Sequence, residues 1–170
     1  AVHFAHRIRE RYPDGQLYID LQGYSPGRPV TALDALGRFL NALGVPGTEV
    51  PLEVADRAAR LRTELAGRRM LVVLDNAGSV DQIRPLLPGT ASCAVVVTSR
   101  DSLAGLVALH GAHRLDLDLL PAAEARQLLR TLIGVDTEPI AVLAEQCARL
   151  PLALRIAAEL AISRSGALPE

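Results

Sequence analysis

Two unbroken aliphatic runs constrain the fold of this chain more than any other feature of its sequence. The first spans residues 70–74 and the second spans residues 94–97. Neither run alternates apolar with polar residues, and continuous runs of this kind are typical of parallel strands that helices cover on both faces. The two runs therefore predict an α/β fold with buried parallel strands.

Strand and helix patterns alternate around these runs. Residues 16–21 alternate in polarity and predict a further strand, and residues 113–117 predict a last, more exposed one. Thr31 and Ser79 stand where each can cap the helix that follows it. This order predicts an open, mainly parallel sheet with flanking helices.

From Pro121 onward the pattern is helical only. Three successive helices each present an apolar face. The third is expected to bury Leu154, Ile156, Ala157 and Leu160. We therefore divide the chain into an α/β core, residues 1–118, and a small helical subdomain, residues 119–170.

The charge composition excludes several kinds of chemistry. The chain has 18 basic and 19 acidic residues, for a net charge of -1, and every basic residue is arginine. The absence of lysine rules out a lysine Schiff base and a lysine that grips phosphate within these residues. Because nucleic-acid surfaces usually carry a basic excess, we expect no direct nucleic-acid contact by this segment.

Cysteine content and hydropathy indicate a cytoplasmic protein without membrane contact. Cys93 and Cys147 belong to no CxxC pair, so neither a metal site nor a disulfide framework is expected. The apolar runs are too short to span a bilayer. No signal peptide is visible.

Polar residues follow both buried strands. Asp75 and Asn76 end the first run, and Thr98, Ser99 and Arg100 end the second. Ligands of open parallel sheets bind beyond the carboxyl ends of the strands, where these residues should meet. An aspartate there can hold magnesium through water, and the planar fork of an arginine matches phosphate oxygens.

Each of these motifs, taken alone, also has a structural explanation. Asp75 and Asn76 could cap the next helix or build the turn before Gly78. Arg100 and Asp101 could form a solvated ion pair.

Four ordered motifs together resemble the NB-ARC ATPase module, which belongs to the STAND class of signal-transduction ATPases. They lie in residues 69–77, 95–100, 115–125 and 147–154. The resemblance covers nearly the whole chain. It is closest to the version in bacterial antibiotic-regulatory-protein-type (SARP) transcriptional regulators, where the module follows an N-terminal DNA-binding region.

The resemblance implies a site for ADP or ATP with Mg²⁺. Asp75 matches the Walker B aspartate that supports the magnesium, and Asn76 stands where many relatives carry a second acid that polarises the attacking water. Arg100, with Ser99 beside it, matches the sensor arginine that monitors the γ-phosphate. Pro151 matches the proline that packs against adenine, a role compatible with its place at a helix start. Because an amide cannot accept the proton, we expect at most slow ATP hydrolysis in the full-length protein.

One motif of the resembled family, the P-loop GxxxxGK[ST], is missing. In that family it precedes a helix like residues 1–12, and its strand lies between the strands corresponding to 70–75 and 93–98. We therefore expect both strands to expose aliphatic edges. The chain also opens in a helical pattern without Met or a capping residue. These features predict a fragment cut just after the P-loop, which should bind nucleotide weakly or not at all.

Three functions remain open from the sequence. The leading one is a regulatory ADP/ATP switch that controls transcription in the full-length protein, works with other domains of the same polypeptide, including a DNA-binding domain, and forms a possible homo-oligomer when active. The alternative is a degenerate scaffold for interaction or oligomerisation that binds no nucleotide. A hydrolase is a weak third option, because no histidine lies near Ser99 in the sequence.

Overall fold

A three-stranded parallel sheet organises the first of two compact units, Ala1–Arg114 and Leu115–Glu170, into which the chain divides. The computed structural model describes residues 1–134 and 139–165. The strand order is β1-β2-β3, and β2 is hydrogen-bonded to both neighbours. The strands are β1 (Gln16–Asp20), β2 (Leu71–Ala77) and β3 (Ala94–Ser99). The predicted α/β class and parallel sheet are confirmed.

Five α-helices and three short 3-10 helices accompany this sheet in the described residues of the first unit. The α-helices are α1 (Val2–Ile8), α2 (Ala32–Ala42), α3 (Val54–Leu65), α4 (Val80–Ile83) and α5 (Ala104–His110). The 3-10 helices are Arg9–Arg11, Gly47–Glu49 and Arg84–Leu86. Both predicted caps are confirmed, because the Thr31 side chain accepts from the backbone N–H of Asp34 and the Ser79 side chain accepts from that of Gln82.

The three strands share one apolar face. Their register places Leu17 beside Val72, and Val72 beside Val95. Two residues further on, Ile19, Leu74 and Val97 are aligned in the same way. These side chains join the core that α2, α3 and α4 complete with their buried apolar residues. The alternation of β1 thus places its apolar half toward the helices.

Burial differs between the two aliphatic strands. Residues 71–74 of β2 are at most 2% exposed, as predicted for a strand covered on both faces. Every residue of β3 is half-buried instead, so the prediction of a second fully buried strand is wrong. The reason is position, because β3 lies at the edge of the sheet and β2 lies at its centre.

The missing P-loop strand leaves no open edge between the two aliphatic strands. We expected β2 and β3 each to lack a neighbouring strand on that side and to expose aliphatic edges. The two strands instead pair directly in parallel, with Leu71 beside Ala94 and Val73 beside Val96. Direct pairing satisfies the backbone groups of both strands along this edge.

The predicted fourth strand at residues 113–117 is also wrong. This segment has no regular secondary structure, and Leu115 and Leu117 are 83% and 89% exposed. Alternation alone does not make a strand, since a strand also needs a hydrogen-bonding neighbour.

The side chain of Gln82 fixes the loop that follows β1. Its amide donates to the carbonyl oxygens of Leu21 and Val30 at 2.8 and 2.7 Å, and its oxygen accepts from the Gly78 N–H at 3.0 Å. The Gly23 N–H donates to the Asn76 carbonyl at 2.7 Å. The loop of residues 21–30 is therefore held against the end of β2.

The second unit contains three α-helices in its described residues. They are α6 (Ala122–Ile133), α7 (Pro139–Gln146) and α8 (Pro151–Ser165). Their shared core is formed by Ala125, Leu129, Ile140, Ala144, Leu154 and Ala158. The predicted face of α8 is only partly right: Leu154 is buried, but Ile156 and Leu160 are each 53% exposed, and Ala158 packs inward instead. Among the helices of the described ranges, none is long and apolar enough to cross a membrane.

The close approach of Gly23 to Gly78 generates the first prediction. A Cβ atom at Gly23 would lie 2.2 Å from the Gly78 nitrogen. We expect Gly23→Ala to lower the free energy of unfolding by about 1–3 kcal/mol, as overpacking does. Gly27 lies in the same loop, and a Cβ there meets nothing within 4 Å, so Gly27→Ala is the matched control. Urea unfolding followed by circular dichroism measures both, and equal effects would contradict the prediction.

The turn between α7 and α8 generates a second prediction. Ala148 and Arg149 have φ angles of 48° and 54°, in the left-handed region that favours glycine. A non-glycine residue in this region carries a conformational penalty of roughly 1–2 kcal/mol, which glycine would remove. Glycine also makes the unfolded chain more flexible, at a smaller cost of about 0.4–1 kcal/mol. Ala148→Gly should therefore stabilise the protein by about 0.5–1 kcal/mol. Ala153→Gly, inside α8, should destabilise it by about 1 kcal/mol. Urea unfolding curves that shift in the same direction for both variants would refute this account.

Candidate functional site

The carboxylate of Asp75 is held from both sides at the carboxyl end of the sheet. On β3, the Thr98 hydroxyl donates to Asp75 Oδ1. On β1, the Tyr18 phenol donates to Asp75 Oδ2 at 3.2 Å. The two neighbouring strands therefore fix the orientation of this carboxylate.

Asn76 turns the backbone at the point where the β2–β3 ladder breaks. Its φ angle is 55°, a left-handed value that asparagine tolerates better than most residues. The register between β2 and β3 shifts between Leu74 and Ala77. The Asn76 N–H then donates to Thr98 Oγ1 at 2.9 Å. A threonine hydroxyl replaces the missing backbone partner and gives its own proton to Asp75.

The side chain of Asn76 connects β2 to the loop after β1. Its amide nitrogen donates to Asp20 Oδ1 at 3.4 Å and to Ser25 Oγ at 3.3 Å. Asp20 Oδ1 also accepts from the Gln22 N–H at 2.8 Å. The sequence left two roles open for Asn76, one in the chemistry of the site and one as a turn residue. The contacts of its side chain are those of a turn residue.

Ser99 orders the segment that follows β3. Its hydroxyl donates to the Ala77 carbonyl at 2.7 Å and accepts from the Asp101 N–H at 2.9 Å. The Tyr24 phenol lies 3.4 Å from the same oxygen. Because the Ser99 proton is already donated to Ala77, the phenol is the donor in this contact.

Arg100 is exposed, and its guanidinium carbon lies 5.3 Å from the centre of the Tyr24 ring. This distance is within the range of a cation–π contact. No ion pair joins Arg100 to Asp101 or to another acid in the part of the chain that the structure describes. The solvated ion pair considered for these two residues is therefore not formed.

Pro151 is the first residue of α8 and lies in the second unit. It is exposed and occupies the helix start that its fixed φ angle suits. Its proposed packing against adenine stays a prediction.

The residues around Asp75 suit a magnesium ion that keeps most of its water. Within residues 1–134 and 139–165, no three His, Cys, Asp or Glu side chains form a metal-ligand cluster. Magnesium usually binds through one or two carboxylates, waters and substrate phosphates, so a dedicated cage is not required. Asp75 supplies such a carboxylate in a fixed orientation, with Asp20 beside it in the strand register.

Three residues of this site, Tyr18, Asp20 and Tyr24, were not identified from the sequence as functional, and Thr98 was identified only as a polar residue at a strand end. Tyr18, Asp20 and Thr98 surround the end of β2, and Tyr24 contacts both Ser99 and Arg100. The alternation of residues 16–21 places Tyr18 and Asp20 on one face, which is a usable signal. Their proximity to Asp75 depends on strand register, which the sequence does not state.

A shallow depression of about 450 Å³ lies between the loop after β1, the start of α2 and the start of α4. Its lining includes Gly23, Thr31, Gly78, Ser79 and Gln82. None of the site residues predicted from the sequence is in that lining. The depression therefore gives no support to their assigned roles.

The electrostatics of the site act on Tyr18. Partial desolvation, followed by the negative charge of Asp75, its hydrogen bond and the charge of Asp20, raises the pKa of the Tyr18 phenol. The folded state thus favours the neutral phenol. Its contribution to stability is fully present below the ordinary tyrosine pKa of about 10 and is lost as the pH rises through the raised pKa.

The raised pKa gives a test of the Asp75–Tyr18 contact. Asp75→Asn removes the charge and should lower the pKa of Tyr18 toward its ordinary value, leaving only the effects of desolvation and Asp20. A pH titration of ¹³C-labelled tyrosine by NMR measures this shift. Asp101→Asn changes an acid that does not act on Tyr18 and serves as control. An unchanged Tyr18 pKa in Asp75→Asn would rule out the contact.

Comparison with known proteins identifies similar regulatory proteins. No family model matches the chain. The protein named Regulatory protein AfsR of Streptomyces griseus is 47% identical over 163 residues, and its namesake in Streptomyces coelicolor is 48% identical over 163 residues. Each match covers 93% of this chain but only 16% of the relative. The chain is therefore homologous to one segment, about a sixth in length, of these regulatory proteins.

Proposed function

We propose that this chain is part of a regulatory switch that responds to ADP and ATP and controls transcription in a larger protein. The observation that carries this proposal is the fixed Asp75 carboxylate at the carboxyl edge of the sheet, with Arg100 following the adjacent strand. An oriented acid and an exposed arginine fork are the groups that a magnesium–phosphate ligand requires.

The individual residues have distinct roles in this proposal. Asp75 holds the water shell of the magnesium, and Thr98 and Tyr18 keep its two oxygens oriented. Bound magnesium would neutralise part of the phosphate charge. Arg100 donates to the terminal phosphate, and Ser99 orders the segment that carries it. Pro151 would pack against adenine, as the resemblance implies.

The hydrogen bonds of Asn76 favour a switch over a turnover enzyme. Its amide nitrogen donates to Asp20 and Ser25, and an amide has no basic site that could take a proton from water. Hydrolysis is therefore slow at most, and the exchange of ADP for ATP sets the state of the module.

The relatives support the regulatory context. Both are named as regulatory proteins, and each is about six times longer than the matched segment. In the proposed arrangement this module acts on other domains of the same cytoplasmic polypeptide, including a DNA-binding domain, and the active form is a possible homo-oligomer. Its own net charge of -1 gives it no basic excess for direct DNA contact.

One observation favours the second candidate, a scaffold that binds no nucleotide. Leu152, Ile156 and Leu160 recur every four residues along α8 and are 71%, 53% and 53% exposed. Residues with this spacing share one helix face, and an exposed apolar face is suited to protein contacts. Nucleotide binding decides between the two candidates.

The decisive experiment is calorimetric titration of Mg-ADP into the product of the complete reading frame. We expect binding, and we expect Asp75→Asn to weaken it about ten- to hundredfold, the scale seen when a group that supports a metal is altered. Asp56→Asn, which changes an exposed acid on α3, should leave affinity unchanged. Absence of binding in the wild-type product would favour the scaffold.

The 170-residue chain provides a second arm of the same experiment. Without a GxxxxGK[ST] motif it lacks the phosphate nest of a P-loop. We expect it to bind Mg-ADP weakly or not at all. Micromolar binding by this chain alone would show that the phosphates are held by residues other than those of a P-loop.

A further inference from the structure

Tyr24 is the one aromatic side chain in contact with Arg100 in the described part of the chain. The guanidinium carbon lies 5.3 Å from the centre of the ring. Arg100 is exposed and forms no ion pair with a described acid. The ring therefore supplies the interaction that holds this cation near the end of β3.

The residues on both sides of Tyr24 are hydrogen-bonded to Asn76. The preceding residue, Gly23, donates its N–H to the Asn76 carbonyl at 2.7 Å and packs directly against Gly78. The following residue, Ser25, accepts from the Asn76 side chain at 3.3 Å. The ring is thus carried by a segment that is fixed to the end of β2.

The phenol adds a second attachment, to the end of β3. The Tyr24 hydroxyl donates to Ser99 Oγ at 3.4 Å, and Ser99 itself donates to the Ala77 carbonyl. The ring is consequently attached to both strands whose ends form the candidate site. Its position relative to Arg100 is set by the sheet and not by a free loop.

A cation–π contact leaves the hydrogen-bonding capacity of an arginine unused. The ring attracts the positive charge through its π face, whereas the N–H donors of the guanidinium lie in the plane of the fork. A carboxylate partner would occupy two of these donors and offset the charge. Tyr24 holds Arg100 while leaving it able to bind an oxyanion.

We propose that Tyr24 is a positioning residue for Arg100, which it presents to the terminal phosphate of the bound nucleotide. This inference rests on the proposed nucleotide switch and extends it to a residue that touches no ligand. Ordering the guanidinium beforehand reduces the entropy lost when the phosphate binds.

The first test measures the order of Arg100 without nucleotide. In the ¹⁵N-labelled 170-residue chain, Arg100 Nε–H is assigned by its absence from the spectrum of Arg100→Lys. We expect Tyr24→Leu to increase the mobility of the Arg100 Nε–H group. The substitution should also abolish the ring-current shift that Tyr24 causes in the methylene protons of the Arg100 side chain. Tyr24→Phe keeps the ring and should preserve both signals, as should Tyr12→Leu, the control at another tyrosine.

Two outcomes of this test would overturn the proposal. One is an Arg100 side chain as mobile in the wild type as in Tyr24→Leu. The other is equal loss of order in Tyr24→Phe and Tyr24→Leu, which would assign the effect to the hydroxyl. Backbone amide spectra of each variant establish that the fold is retained.

The second test measures Mg-ATP affinity in the product of the complete reading frame. Tyr24→Leu should weaken binding about two- to fivefold, the effect of losing one exposed cation–π contact, and Tyr24→Phe should not. In an Arg100→Ala background, Tyr24→Leu should have no further effect. A full effect in that background would overturn the proposal. No binding by the wild type would contradict the nucleotide switch itself, whereas the order of Arg100 is measured independently of it.

Discussion

The burial of β2 is the constraint on which the rest of the first unit depends. Its residues 71–74 are almost completely excluded from water and pair with strands on both sides. A strand in this position has no free backbone group along its length, because each N–H and C=O must find a partner inside the sheet. The backbones of β1 and β3 supply these partners in parallel register, and the aliphatic side chains of β2 fill the space on both faces of the strand.

The candidate site begins where that regular pairing stops. At Asn76 the left-handed backbone breaks the ladder to β3, and polar groups take over the work of the missing ladder bonds. The Thr98 hydroxyl oxygen accepts from the Asn76 N–H on the β3 side. On the β1 side, the backbone N–H groups of Leu21 and Gly23 donate to the carbonyls of Asp75 and Asn76. The orientation of the Asp75 carboxylate is therefore a by-product of satisfying the backbone at the end of a buried strand.

The fold could be predicted from the sequence where the signal is local. Two aliphatic runs gave parallel strands, and Thr31 and Ser79 gave helix starts, because capping involves residues only three apart. The partial exposure of β3 could not be predicted in this way, since β3 at the edge and β2 at the centre of the sheet are both runs of aliphatic residues. Residues 113–117 alternate correctly but lack a neighbour in the structure. Helix α8 is apolar on several sides, so periodicity could not choose Ala158 over Ile156 as the buried residue.

The candidate site shows the same division between local and non-local information. Asp75 and Arg100 could be identified because each belongs to the polar residues that follow an aliphatic run. The partners Tyr18 and Tyr24, and the hydrogen bond of Thr98 to Asp75, could not be identified, since these contacts depend on strand register or on the path of the β1–α2 loop. Asn76 was identified, but its contacts with Asp20 and Ser25 depend on a φ angle that no residue pattern announces.

The exclusive use of arginine gives the partner of Arg100 particular importance. Lysine can lose its charge when its surroundings change, but a guanidinium stays protonated throughout the physiological pH range. The affinity of an arginine for an anion therefore depends on where its guanidinium lies and on which other groups compete for it. It does not depend on a change of protonation state. An acidic neighbour would hold Arg100 in place, but it would also offset the positive charge that attracts a phosphate. An aromatic ring on a fixed loop supplies position alone, so the cation at this sheet edge keeps its full charge for a ligand.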